Sequence, residues 1–177
     1  MLVTNQSKST GATPIYIKKN FGKLEYSLNT ILDQDKLKIY RFETTKENEF
    51  IPSPVEFEFK VPAINVKGVW RPTTDFSKSI EPDWELENHK SRISIDAPVI
   101  LLFDNNDENV LCFSCSNAIN SVEMATKYRE EDNCFYCRII FFTECKYPIK
   151  NFSADIRLDY RKIHFSQALG KTAKWWE

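Results

Sequence analysis

The run VEFEFKV, residues 55–61, alternates apolar and charged side chains without a break. Val55, Phe57, Phe59 and Val61 take one parity; Glu56, Glu58 and Lys60 take the other. Successive side chains of a strand point to opposite faces, so this pattern buries one face of an extended segment and leaves the other in water. A helix would scatter both sets around its circumference. The same period of two recurs along the chain. In LEYSLNTIL it puts Leu24, Tyr26 and Leu28 together, and in KLKIYRFETT it sets Leu37, Ile39 and Arg41 against Tyr40 and Phe42. In FSADIRLDYRKI it aligns Phe152, Ala154, Ile156, Leu158 and Tyr160. VLCFSCS and NCFYCRIIFFTE are rich in the aromatic and β-branched residues that suit strands. SVEMATKYREED fits a strand, with Val122, Met124 and Thr126 alternating, and also fits a helix by composition. FSQALGKTAKWWE reads as a helix, with Ser166 as its N-cap ahead of Ala168, Leu169 and Ala173. About ten short strands with one terminal helix predict a mainly β fold, an antiparallel β-sandwich with a short C-terminal helix.

The 177 residues suit one domain with a tail. We expect a disordered N-terminal segment over 1–14, a β-sandwich domain over 15–164 and a helix over 165–177. Gly68 to Arg92 is polar and Pro-bearing, and reads as a long ordered loop, the kind that carries function in compact domains. Charge is balanced, 24 basic against 25 acidic residues, which argues against a nucleic-acid partner. The apolar runs are short, Ile139–Phe142 for example, so no helix is expected to cross a membrane. The opening residues hold no apolar core of a signal peptide. That favours the cytoplasm, or the periplasm if a leader has been removed. With 4 glycines and no G-x-G-x-x-G or G-K-[ST] pattern, Gly-rich phosphate loops are excluded.

Cys112, Cys115, Cys134 and Cys137 form C-x2-C-x18-C-x2-C, inside the spacing window of a structural zinc site. Thiolates on one ion must converge to about 2.3 Å from it. A tight turn allows that, and such turns usually carry Gly or Pro; neither flanks these pairs. On strands, positions i and i+3 point to opposite faces, so each pair diverges and the four sulfurs cannot meet. The cysteines then read as small core residues, with a zinc site and a cross-strand disulfide as the alternatives. The strand reading also argues against a redox C-x-x-C, whose thiolate needs a helix N-terminus. No metal or cofactor is called for.

His89 and His164, the two histidines, lie far apart in sequence without a nucleophile pattern, so surface or capping roles are expected. Asp75, Glu81, Asp83, Glu85 and Glu87 crowd the long loop, and nothing singles out a catalytic pair, although a glycosidase would need just two carboxylates. Trp70, Asp75 and Trp84 are the carbohydrate-contact candidates, because indole faces stack on sugars. Packing of the loop is the competing role for both tryptophans. Trp175 and Trp176 are candidates for packing against a following domain.

Five segments together carry a resemblance: VKGVWRP (66–72), SRISIDAPVILLFD (91–104), NVLCFSCSNAINSVEMATKYREED (109–132), IRLDYR (156–161) and FSQALGKTAKWWE (165–177). In this order they resemble the N-terminal domain of family 36 glycoside hydrolases, the α-galactosidase or melibiase-like enzymes of Bacteroidetes type. The match covers Pro54 to Glu177 and is weak before it. The resemblance implies a β-supersandwich similar to the galactose-mutarotase-like fold, followed by a catalytic (β/α)8 barrel in the same polypeptide. It also implies a non-catalytic role: packing against that barrel, supporting oligomer contacts and supplying a loop near the sugar site. The family's two catalytic aspartates belong to the barrel, and no position here matches them. Where this chain has cysteines the family pattern often has Ala, Thr or Val, all of which suit a strand. A stand-alone carbohydrate-binding module using the loop tryptophans is the alternative function.

Overall fold

A computed structural model describes residues 15–20, 26–44, 54–72, 78–79, 85–88, 97–116, 122–143, 145–148 and 152–177. In chain order the strands are β1 (Ile15–Asn20), β2 (Tyr26–Gln34), β3 (Leu37–Thr44), β4 (Val55–Pro62), β5 (Val66–Trp70), β6 (Lys78–Ser79), β7 (Glu85–Asn88) and β8 (Val99–Asp104). β9 (Asn109–Cys115), β10 (Val122–Arg129), β11 (Cys134–Phe141) and β12 (Ser153–Asp159) follow, and helix α1 (Phe165–Trp176) comes last. They form two antiparallel sheets. The first has the order β1-β4-β11-β10-β7, the second β2-β3-β12-β9-β8-β5-β6.

Alternation in the sequence decides which face of each sheet meets the other. Val55, Phe57, Phe59 and Val61 of β4 pack with Phe135, Cys137, Ile139 and Phe141 of β11 and with Val122 and Met124 of β10. Opposite them stand Phe42, Ile100, Leu102, Leu111, Phe113, Cys115, Ala154, Ile156 and Leu158 of the second sheet. Six rings gather at one end of this core. Phe42 lies 5.2 Å from Phe57, 5.5 Å from Phe141 and 5.8 Å from Phe152, with Tyr26 and Phe142 at 5.7 and 6.3 Å.

Turn chemistry fixes the register. Asp35 and Lys36 both take positive φ, 45° and 62°. That is the backbone of the two-residue turn whose twist matches a β-hairpin, and it joins β2 to β3. Between β8 and β9 the Asp104 carboxylate accepts the N–H groups of Asn106 and Glu108 at 2.8 and 3.0 Å, an Asx-type closure.

Two expectations are corrected and one open choice is decided. Gly68 to Arg92 is not simply a loop. Gly68 to Trp70 complete β5, and β6 and β7 are edge strands of different sheets. At two and four residues they are too short for alternation to reveal. Of the two readings open for SVEMATKYREED, Val122–Arg129 takes the strand, pairing in full register with β11. The helix N-cap is His164, not Ser166. With φ −55° and ψ 139°, His164 accepts the Ser166 N–H on Nδ1 at 3.3 Å, and the Ser166 hydroxyl lies 2.8 Å from the same nitrogen. Residues 1–14, Asp75, Asp83, Trp84 and His89 lie outside the described residues.

Candidate functional site

The second sheet is buried on both faces along its middle, because α1 lies across its outer side. Val99, Leu101 and Phe103 of β8, Cys112 of β9 and Ala168 of α1 form a small apolar cluster, with Trp70, Ile163, Phe165, Leu169 and Trp176 packed around it. On the helix the inward residues 165, 168, 169, 172 and 176 follow the 3.6-residue period of a single stripe.

Beside this cluster sits a buried polar network. Register places Arg157 of β12 between Ile39 and Ser114, and Asp159 between Leu37 and Cys112. Arg157, 2% exposed, donates from Nη1 to Thr172 Oγ1 at 2.6 Å and from Nη2 to Asp159 Oδ2 at 2.7 Å. Arg161 forks onto the same carboxylate at 2.8 and 2.6 Å and adds its backbone N–H at 3.2 Å. Thr172 passes its own hydrogen to the Ala168 carbonyl at 3.0 Å, with Cys112 Sγ at 3.4 Å. The Trp175 ring stands 5.9 Å from the Arg157 guanidinium, a cation–π distance. Trp176 Nε1 donates to the Cys115 carbonyl at 3.1 Å. Burial alone would raise the Asp159 carboxyl, but the hydrogen bond from Arg161 and the charge of Arg157 outweigh it and hold the group below the usual carboxylate value.

A second cluster lies at the β10–β11 turn. Asp132 accepts from Lys60 Nζ at 2.8 Å and from the Tyr136 hydroxyl, and Arg129 stands 4.5 Å from the Tyr136 ring. The hydrogen bonds from Lys60 and Tyr136 pull the Asp132 carboxyl down, and the bond to Asp132 pushes the Tyr136 phenol up. Both carboxylates of these clusters are anions fixed by cations. Neither has the raised pKa of a general acid.

The cysteines diverge as the strand period requires. Cys112 faces α1 and Cys115 faces the inter-sheet core. Cys137 enters that core too, while Cys134 has the opposite parity and its Sγ donates to the Asp132 carbonyl at 3.2 Å. All five cysteines are free. Burial pushes the Cys112 thiol up to about 11 and those of Cys115 and Cys137 up to about 12, far from the activated thiolate of a nucleophile or ligand. Among the described residues no group of three or more His, Cys, Asp or Glu side chains is placed to hold a metal. We therefore expect protein purified from zinc-supplemented cells to carry well below one equivalent of zinc by atomic emission. A stoichiometric ion removable only by denaturation would contradict this arrangement.

Of the sequence-derived candidates, Trp70 is half-buried against the α1 cluster. Trp175 and Trp176 are half-buried too, and meet Arg157 and Cys115 of this same domain. Asp75 and Trp84 lie outside the described residues. Sequence reasoning did not single out Arg157, Asp159 or Thr172. The available signal was opposite charges at i and i+2 alternating with Ile156 and Leu158, which places an ion pair on the second face of a strand already buried on its first.

Compared with known protein families, curated proteins and solved structures, the chain matches none of them.

Proposed function

We propose that this chain acts as a non-catalytic β-sandwich domain of a carbohydrate-active glycoside hydrolase resembling the family 36 α-galactosidases, packing against and supporting a (β/α)8 barrel of the same polypeptide. One observation carries the reading. The segments that bear the resemblance are scattered through the sequence, yet in space most of them form a single unit. VKGVWRP runs through β5, PVILLFD through β8, NVLCFSC through β9, IRLDYR through the end of β12, and the last segment is α1, while VEMATKYR, the later part of the third segment, is β10 of the first sheet. β12, β9, β8 and β5 are consecutive neighbours in the second sheet, and α1 covers them. Parts of all five segments thus meet in one packed unit. The unit suits packing: Arg157, Asp159, Arg161 and Thr172 bond to one another, and Trp70 lies half-buried against the apolar cluster beneath α1.

The coding sequence beyond the Glu177 codon tests this directly. A continuous reading frame encoding a barrel is expected; an immediate stop codon overturns the proposal. Titration calorimetry with α-galactosides on the isolated chain should give no saturable heat. Clear binding would instead make the chain a carbohydrate-binding module.

A further inference from the structure

We propose that α1 is a detachable latch: it leaves the outer face of the second sheet, and melts as it leaves, while the two-sheet sandwich stays folded. This rests on the arrangement of the two cores and is independent of the proposed function. The inter-sheet core contains no residue of α1. The helix is held instead by the smaller cluster on the other side of the sheet, where Ala168 and Thr172 are its fully buried residues. Removing α1 therefore opens one face of the sheet and leaves the sandwich interior dry.

Three features favour release as a unit. First, the hinge is fixed. The Asn109 N–H donates to the Ile163 carbonyl at 2.7 Å, the Phe165 N–H to the Asp107 carbonyl at 2.9 Å, and the Asn109 side chain to the Arg161 carbonyl at 3.0 Å. The chain is thus pinned up to the first helical residue. Second, undocking leaves no orphan charge. Arg157 loses Thr172 but keeps Asp159, and water replaces the hydroxyl. Third, the helix is weak by itself. Its 12 residues are at the lower limit of what is helical in water, its first turn has no acidic residue, and an exposed glycine, Gly170, sits in its middle. A Cβ there would meet nothing within 4 Å, so packing does not require that glycine.

Buried thiols supply the test, because Cys112 lies beneath the latch while Cys115 and Cys137 lie inside the sandwich. Under native conditions the full chain is exposed to an alkylating agent and each cysteine is followed by mass spectrometry across low urea concentrations. Cys112 is expected to label at least about tenfold faster than Cys115 and Cys137 through local opening. Its urea dependence should be shallower, because the slope reports the surface exposed. Gly170→Ala, which disturbs no contact, should slow Cys112 labelling about fivefold through helix propensity alone. Cys112 labelling at the rate and urea slope of Cys115 and Cys137 would mean that it opens by global unfolding, and would overturn the proposal. An unchanged Cys112 rate in Gly170→Ala would overturn it as well, since the helix would then not melt on leaving.

Discussion

Asp159→Ala is expected to destabilise the domain by about 3–5 kcal/mol, measured as a fall in the urea midpoint. That is the usual effect of removing one partner from a buried ion pair and stranding the other. Asp159 is fully buried and anchors both Arg157 and Arg161. While α1 is docked, Arg157 cannot reach water to compensate. The loss takes a large share of the 5–15 kcal/mol that holds a typical domain together. The apolar double replacement Arg157→Met/Asp159→Leu should recover much of it, because burying a pair gains little over burying a well-packed hydrophobic patch. If Asp159→Ala shifts the midpoint by less than the equivalent of about 1 kcal/mol, the network does not hold the sheet to the helix as described.

The same carboxylate sets a pH dependence. Its folded pKa lies below its unfolded value of about 3.9, so the folded state favours the anion. Its contribution is complete above the unfolded value and is lost as pH falls through the lower folded value. Asp159→Asn should flatten the acid limb of the stability profile below about pH 4 while leaving the shape from pH 5 to 8 unchanged.

Phe42→Ala is expected to cost about 3–5 kcal/mol as well, by a different route: lost transfer energy plus a cavity that close-packed neighbours cannot fill. Phe42 is completely buried and is in ring contact with Tyr26, Phe57, Phe141, Phe142 and Phe152, which pins both sheets around it. Phe42→Leu should retain most of the volume and lose well under half as much. A Phe42→Ala protein with an unchanged urea midpoint would mean that this end of the sandwich collapses freely around the gap. Lys171→Ala, on the exposed side of α1, serves as control and should stay within about 0.5 kcal/mol of the parent.

Legibility followed the periodicity. In β4 and β12 the alternation named the core-facing residues, and in β3 it separated Phe42 from Arg41. Where elements are two or four residues long, as β6 and β7 are, no period can be read, and only pairing with a neighbour makes them strands. The cap of α1 differs from the sequence expectation for a related reason. Ser166 has the right chemistry, but His164 is placed first, bridged to Glu108 across the sheet edge, and its ring nitrogen takes the free N–H. The β10 segment was compatible with either periodicity until β11 and β7 flanked it.

The sequence by itself determined that the backbone is pleated, which residues of each strand share a side, and that each C-x2-C pair sends its sulfurs apart, because a two-residue period is a local property of extended chain. Only the tertiary structure decided that the second sheet would be buried twice, with Arg157 and Asp159 turned from solvent-facing positions into the centre of a closed network. Whether the outer face of a strand meets water or a helix depends on where a segment distant in sequence comes to rest, and local alternation carries no record of that.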